Sequence, residues 1–224
     1  MRTKAWVSYL LACSGLLMIP LVGLIYIQLN QDNGTAYSLM TDLDRQIPFI
    51  KGFVVPYLFW YVFLAVGFLY LAYRDRSNYF QTLVEFIIGL LLCYSVYAIY
   101  QTTVPRPDIS GSDWLLQTVQ WVYRSDQPFN CFPSTHVLTA YLMMRSYLRS
   151  VPIALRYKMI AAGMSILIIV STLFVKQHVL MDIVGAVLVA EGVVYVVERS
   201  RRTWLTGSTA ASARQDKLER GLKQ

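Results

Sequence analysis

Residues 171–182 read STLFVKQHVLMD, a polar island between two apolar runs, 159–175 and 179–197, each long enough to enter a bilayer. Its chemistry is concentrated in His178 and Asp182, four residues apart where the second run begins. On a helix that spacing puts both side chains on one face, and helical side chains lean toward the N-terminus, so Asp182 reaches back to the imidazole. A carboxylate bonded to one ring nitrogen fixes the tautomer and leaves the other nitrogen free as base or nucleophile. The other histidine, His136, closes a second polar island, CFPSTH at 131–136, again where an apolar run starts.

Outward from these islands the chain is strongly apolar: 56% of its 224 residues are hydrophobic, 14% are aromatic, and the mean hydropathy is +0.45. That exceeds the apolar share of an ordinary soluble domain and reads as an all-α integral membrane protein. Six spans are expected, at 5–29, 52–73, 79–104, 134–150, 159–175 and 179–197. Leu11, Ala12 and Cys13 faintly resemble a lipoprotein cleavage site, but the apolar run continues far beyond them. The net charge of +7 does not point to nucleic acid, because the basic residues are dispersed between apolar runs. They act instead as topology signals. Fifteen Lys and Arg fall on one side, including Arg74, Arg76, Arg149, Arg156, Lys158 and Arg201. Five (Arg45, Lys51, Arg106, Arg124 and Lys176) fall on the other. Both termini are then expected in the cytoplasm, with His136, His178, Asp182 and Arg106 facing outward in a multi-pass cell-membrane protein.

In the outer loop 102–132, Trp114, Thr118 and Trp121 recur at helical spacing, which predicts a short interfacial helix. One six-span catalytic domain, 1–198, is expected, followed by a basic, flexible cytoplasmic tail at 199–224. Cys13, Cys93 and Cys131 define neither a disulfide framework nor a zinc site. Glu191 points nearly opposite to Asp182 on the sixth span and is expected to make a polar contact with another helix.

Arg106 lies between Pro105 and Pro107, which hold the backbone extended and present the guanidinium at the headgroup layer. Such an arginine makes bidentate bonds to phosphate, and Ser134 and Thr135 add hydroxyls and the free N–H groups of a helix start. Singly, each of these residues also reads as a loop anchor or a helix cap. Together with two histidines they are the parts of an anion site.

These residues resemble the type 2 phosphatidic acid phosphatase superfamily, whose signatures are Lys-x6-Arg-Pro, Pro-Ser-Gly-His and Ser-Arg-x5-His-x3-Asp. Arg106-Pro107 matches the end of the first. Pro133-Ser134-Thr135-His136 matches the second, with Thr135 for Gly, and Ser171, His178 and Asp182 match the third. The resemblance covers roughly 5–198. It implies His178 as nucleophile, Asp182 as its orienting group, His136 as general acid, a phosphohistidine intermediate, and no metal or other cofactor. Ile99 and Thr172 stand where that family carries cations, and Lys176 is a candidate to supply one charge from another place. Proteins similar to inositol phosphorylceramide and sphingomyelin synthases relax those positions, and Phe132-Pro133-Ser134 and Gln177-His178 resemble that branch.

The expected function is hydrolysis of a membrane lipid phosphate or diphosphate on the outer face, since the short outer loops offer few groups to hold a second polar substrate. The phosphate-binding set is Arg106, Ser134, Thr135 and Lys176, with His178, Asp182 and His136 catalytic. The competing reading is a lipid headgroup phosphotransferase, because loss of two cations suits a singly charged phosphodiester. A transporter would place its polar groups near the midplane instead of at one membrane edge.

Overall fold

The computed structural model describes residues 2–221. The chain enters through α1 (Arg2–Ser14), a single 3-10 turn at Gly15–Leu17 and α2 (Met18–Leu29), so the first apolar run is one rod tightened at its middle. The connection that follows carries a two-residue strand β1 (Tyr37–Ser38) and a short helix α3 (Asp42–Gln46). Then come α4 (Val54–Arg74) and α5 (Arg76–Ile99), a two-residue strand β2 (Thr102–Thr103), α6 (Trp114–Ser125), α7 (Thr135–Arg149), α8 (Leu155–Phe174) and α9 (Leu180–Gly221).

Among the described residues five segments are long and apolar enough to cross a membrane: Trp6–Leu29, Lys51–Arg74, Arg76–Ile99, Leu155–Phe174 and Leu180–Thr203. The remaining expected span is α7, whose 15 residues rise about 22 Å against a hydrocarbon core of about 30 Å. Its C-terminal flank turns out at the exposed Val151, whereas its N-terminal flank is irregular but enclosed by protein, with Cys131, Pro133 and Ser134 buried. Irregular backbone is tolerated at membrane depth under that condition. α7 is the central helix, packed against α4, α5, α8 and α9.

Local chemistry sets the element ends. Asp75 separates α4 from α5 and accepts the Asn78 N–H at 3.1 Å, capping the new helix one residue after the old one stops. Asp113 accepts the Leu115 and Leu116 N–H groups and starts α6, the expected interfacial helix, with Trp114 and Trp121 on its exposed side. Ser134 accepts the Val137 N–H and starts α7. The third expected span stops at Ile99, five residues early, because β2 then pairs in parallel with β1, Tyr37 opposite Thr102. α9 runs well past 197, through a segment rich in Ala, Arg, Lys and Glu, which are strong helix formers.

The alternation of helix directions sorts the polar groups by end. The last residues of α5 and α8 and the first residues of α7 and α9 gather at one end, bringing 106, 136, 178 and 182 to the same pole. The opposite pole holds a buried ion pair that the apolar pattern concealed. Glu85, fully buried on α5, takes Arg149 of α7 in a bidentate pair, Nη1 to Oε1 at 2.6 Å and Nη2 to Oε2 at 2.8 Å. Arg149 Nε also donates to Asn78 Oδ1 at 2.6 Å. Glu191 meets α7, accepting from Tyr141 Oη at 2.6 Å and pairing with Arg145 Nε at 3.0 Å.

Candidate active site

The turn between α8 and α9 is built to aim His178. The N–H groups of Gln177 and His178 both donate to the Thr172 carbonyl, at 3.0 and 3.2 Å, which folds the chain back at the end of α8. Lys176 takes a left-handed backbone conformation with φ 54° to complete that reversal. Asp182, in the first turn of α9, accepts the Val179 N–H at 2.9 Å through Oδ2, and the same oxygen lies 3.2 Å from His178 Nδ1. The pair therefore fixes Nδ1 as the donor and frees Nε2. Asp182 is fully buried, and its Oδ1 has no partner.

His136 comes to the same place from α7. Its ring packs against two rings of α4, Tyr57 at 4.7 Å and Trp60 at 4.3 Å between centroids, and lies 6.0 Å from the ring of His178. Trp60 is held by a hydrogen bond from Nε1 to Thr139 Oγ1 at 2.9 Å. α7 and α9 are tied together beside the histidines, where the Ser134 N–H donates to the Asp182 carbonyl at 3.2 Å. Close contact is needed there: a Cβ on Gly185 of α9 would lie 2.3 Å from Cε2 of Phe132.

Two cavities meet at His136. A polar niche is lined by Arg106, Asp126, Thr135, His136, Gln177 and His178, among others. An apolar cleft of about 550 Å³ extends from His136 and Asp126 along Tyr57, Trp60, Tyr61, Leu64 and Tyr94 toward α2. Tyr57, Tyr61 and Tyr94 thus line the cleft, whereas Tyr97 donates to the Pro133 carbonyl and Tyr100 stacks on Tyr37.

Arg106 reaches the niche with its guanidinium 4.5 Å over the ring of Tyr123. Nη1 donates to the Tyr123 carbonyl at 3.0 Å and Nη2 to Gln177 Oε1 at 2.6 Å, while Nε is buried without a partner. Thr135 lines both cavities, and the Ser134 hydroxyl is occupied as the α7 cap. Lys176 points elsewhere: Nζ donates to the Asp44 carbonyl at 3.1 Å and to the Ile47 carbonyl, joining the connection between α2 and α4 to the turn before α9. Ile99 is 87% exposed on the apolar flank of α5, and Thr172 is buried with its hydroxyl on the Ile169 carbonyl at 2.7 Å.

Asp44 completes that strap by accepting the Leu180 N–H at 2.7 Å, so a carboxylate of α3 caps α9. Burial raises the Asp44 carboxyl, but hydrogen bonds from the Thr41 hydroxyl, the Leu180 N–H and the Thr41 N–H, with the Lys176 charge, outweigh it and leave the group below its ordinary value. Burial lowers the Lys176 ammonium, opposed by the Asp44 charge.

Asp126, Gln177 and Trp60 were not singled out as site groups from sequence; among them only the pairing of Gln177 with His178 carried a signal. Asp126 Oδ1 accepts from Tyr26 Oη at 2.6 Å and Asn30 Nδ2 at 2.9 Å, linking α6 to α2 at the mouth of the niche.

Searches of curated proteins and of solved structures return no match. A family model described as the PAP2 superfamily matches residues 82–205, more than half of the chain, and the matched stretch contains Arg106, His136, His178 and Asp182. That superfamily comprises phosphatases and phosphotransferases. The chain is a multi-pass membrane protein that belongs to the PAP2 superfamily.

Proposed function

We propose that the protein is a metal-independent lipid phosphatase that hydrolyses a lipid phosphate or diphosphate through a phosphohistidine on His178. The observation that carries this reading is the facing pair of imidazoles, 6.0 Å apart between centroids, at the junction of a polar niche and an apolar cleft. The cleft suits an acyl or prenyl chain and the niche suits its phosphoryl end.

The chemistry follows from positioning and charge neutralisation. His178 Nε2, its other nitrogen held by Asp182, attacks phosphorus while the bond to the leaving oxygen breaks. Protonated His136 gives its proton to that oxygen. Neutral His136 then takes a proton from water, the water oxygen attacks phosphorus, and the phosphorus–nitrogen bond breaks to release phosphate and restore His178. Arg106 balances charge on the non-bridging oxygens.

The proposed orientation puts this pole on the outer face of the cell membrane and both termini in the cytoplasm, following the Lys and Arg imbalance. Single cysteines at Ser110 and Val151, in a background lacking Cys13, Cys93 and Cys131, test it. An impermeant reagent should label the first in intact cells and the second only after permeabilisation.

A specific observation favours a second reading, transfer of a phosphate-bearing headgroup to an alcohol. Among the described residues Arg106 is the one Lys or Arg lining the niche, and Asp126 stands opposite in sign. That balance suits a singly charged phosphodiester better than a dianionic monoester. Purified protein is offered a lipid phosphate monoester, a polyprenyl diphosphate and a phosphodiester lipid, each with and without inositol, glycerol or a diacylglycerol. Free phosphate from the first two supports hydrolysis. A new phosphodiester formed only with an alcohol, monoesters being untouched, establishes transfer instead.

A further inference from the structure

Gln177 is 2% exposed, yet its side-chain nitrogen Nε2 has no hydrogen-bond partner. A buried amide donor left unpaired is costly, and such groups in native structures call for an explanation. Its Oε1 is engaged, accepting from Arg106 Nη2 at 2.6 Å, so the amide orientation is assigned: oxygen toward the guanidinium, NH2 away from it. Arg106 supplies a second orphan, since its buried Nε is also without a partner. Both residues line the niche that contains His136, His178 and Thr135. Two buried donors of adjacent, mutually bonded side chains thus lack an acceptor in a cavity that holds the proposed nucleophile.

We propose that Gln177 is a direct phosphate ligand, its Nε2–H donating to a non-bridging oxygen of the phosphoryl group while Arg106 Nε donates to the same group. The inference rests on the reading that phosphorus reacts at His178. It also answers what serves in place of the cations absent at Ile99 and Thr172: a neutral amide, held by Arg106 and delivered by the same turn that delivers His178. Lys176, one residue earlier, is spent on the connection between α2 and α4. A neutral donor contributes directionality without charge, so the niche grips a phosphoryl oxygen while adding no attraction for a second negative charge.

Two substitutions separate this role from simple support of Arg106. Gln177→Glu keeps an oxygen acceptor for Arg106 Nη2 and removes the donor. Gln177→Met removes both and keeps the volume. Inorganic orthovanadate, a mimic of the phosphoryl group in flight, is the probe, read as its inhibition constant against hydrolysis of a lipid phosphate or, if that is the activity found, headgroup transfer. Thermal melting in detergent checks that each variant is folded. Gln177→Met should weaken vanadate roughly tenfold, the loss of one buried hydrogen bond. Gln177→Glu should weaken it roughly a hundredfold or more, because a carboxylate then faces the anion. Vanadate affinity in Gln177→Glu equal to or better than that of the parent would overturn the assignment and leave Gln177 as a prop for Arg106. If the parent protein itself ignores vanadate and forms no phosphoenzyme, the underlying reading of His178 fails, and this inference with it.

Discussion

One oxygen of Asp182, Oδ2, both accepts the Val179 N–H at 2.9 Å and lies 3.2 Å from His178 Nδ1. The contact that starts α9 is therefore the contact that orients the imidazole, and the two cannot be lost separately. In Asp182→Asn the amide presents an N–H where an acceptor is needed, or turns its oxygen to His178 as a weaker neutral partner. By analogy with other oriented catalytic histidines, kcat should fall roughly a thousand- to ten-thousand-fold. Single-turnover rates should fall with kcat, since the loss is in the chemical step.

The contact between Gly185 and Phe132 gives a stability test. Gly185→Ala should destabilise the fold by about 1–3 kcal/mol, the usual range for overpacking, because the new Cβ meets the Phe132 ring. Because Ser134 and Asp182 are bonded across the same helix pair, activity should fall with stability. Phe132→Leu in the Gly185→Ala background should restore much of the melting temperature. A Tm unchanged by Gly185→Ala contradicts the packing described.

These cases also mark how far the sequence could be read. Long uncharged runs such as 52–73 follow from hydropathy alone, and the alternation of helix directions then forces 106, 136 and 178 to one pole. The i, i+4 spacing of His178 and Asp182 is local and was legible for the same reason. What escaped depends on partners distant in the chain. Glu85 and Arg149 are 64 residues apart, and neither advertises the other inside an apolar pattern. Asp126 is held at the niche by Tyr26 of α2 and by Asn30 just after it, which both donate to its Oδ1. Lys176 was a candidate phosphate ligand by proximity to His178. Its left-handed backbone turns the ammonium to carbonyls more than a hundred residues earlier, which no local pattern encodes.

The strap from α3 to the start of α9 should be acid-sensitive. The Asp44 carboxyl lies below its ordinary value when folded, so its contribution is fully present above the unfolded value of about 3.9 and is lost as pH falls through the lower folded value. Hydrogen exchange at the Leu180 amide, which Asp44 holds, should therefore show extra acceleration below about pH 4, beyond the intrinsic trend. Asp44→Asn should have the faster, pH-independent excess at all pH values. Identical excess exchange in both proteins would contradict the strap.

The apolar cleft should govern chain-length preference. Leu64 lines it far from the histidines in sequence, and Leu64→Trp puts an indole in place of an isobutyl group in a volume of about 550 Å³. KM should rise for long-chain lipid phosphates, about tenfold as for a lost hydrophobic subsite, with little change for a short-chain water-soluble ester. Equal effects on both would show that the chain lies elsewhere.

The claim on which the rest depends is that His178 carries the phosphoryl group. The direct measurement is to quench the purified protein during turnover of a phosphorus-labelled donor and map the label, which for phosphohistidine is stable in alkali and labile in acid. The account predicts label on the peptide containing His178, none in His178→Ala, and accumulation in His136→Ala when the donor is a diphosphate, whose leaving phosphate departs without a proton from His136 while hydrolysis of the phosphohistidine still needs its base. Near-normal turnover in His178→Ala, or label on another residue, would contradict it.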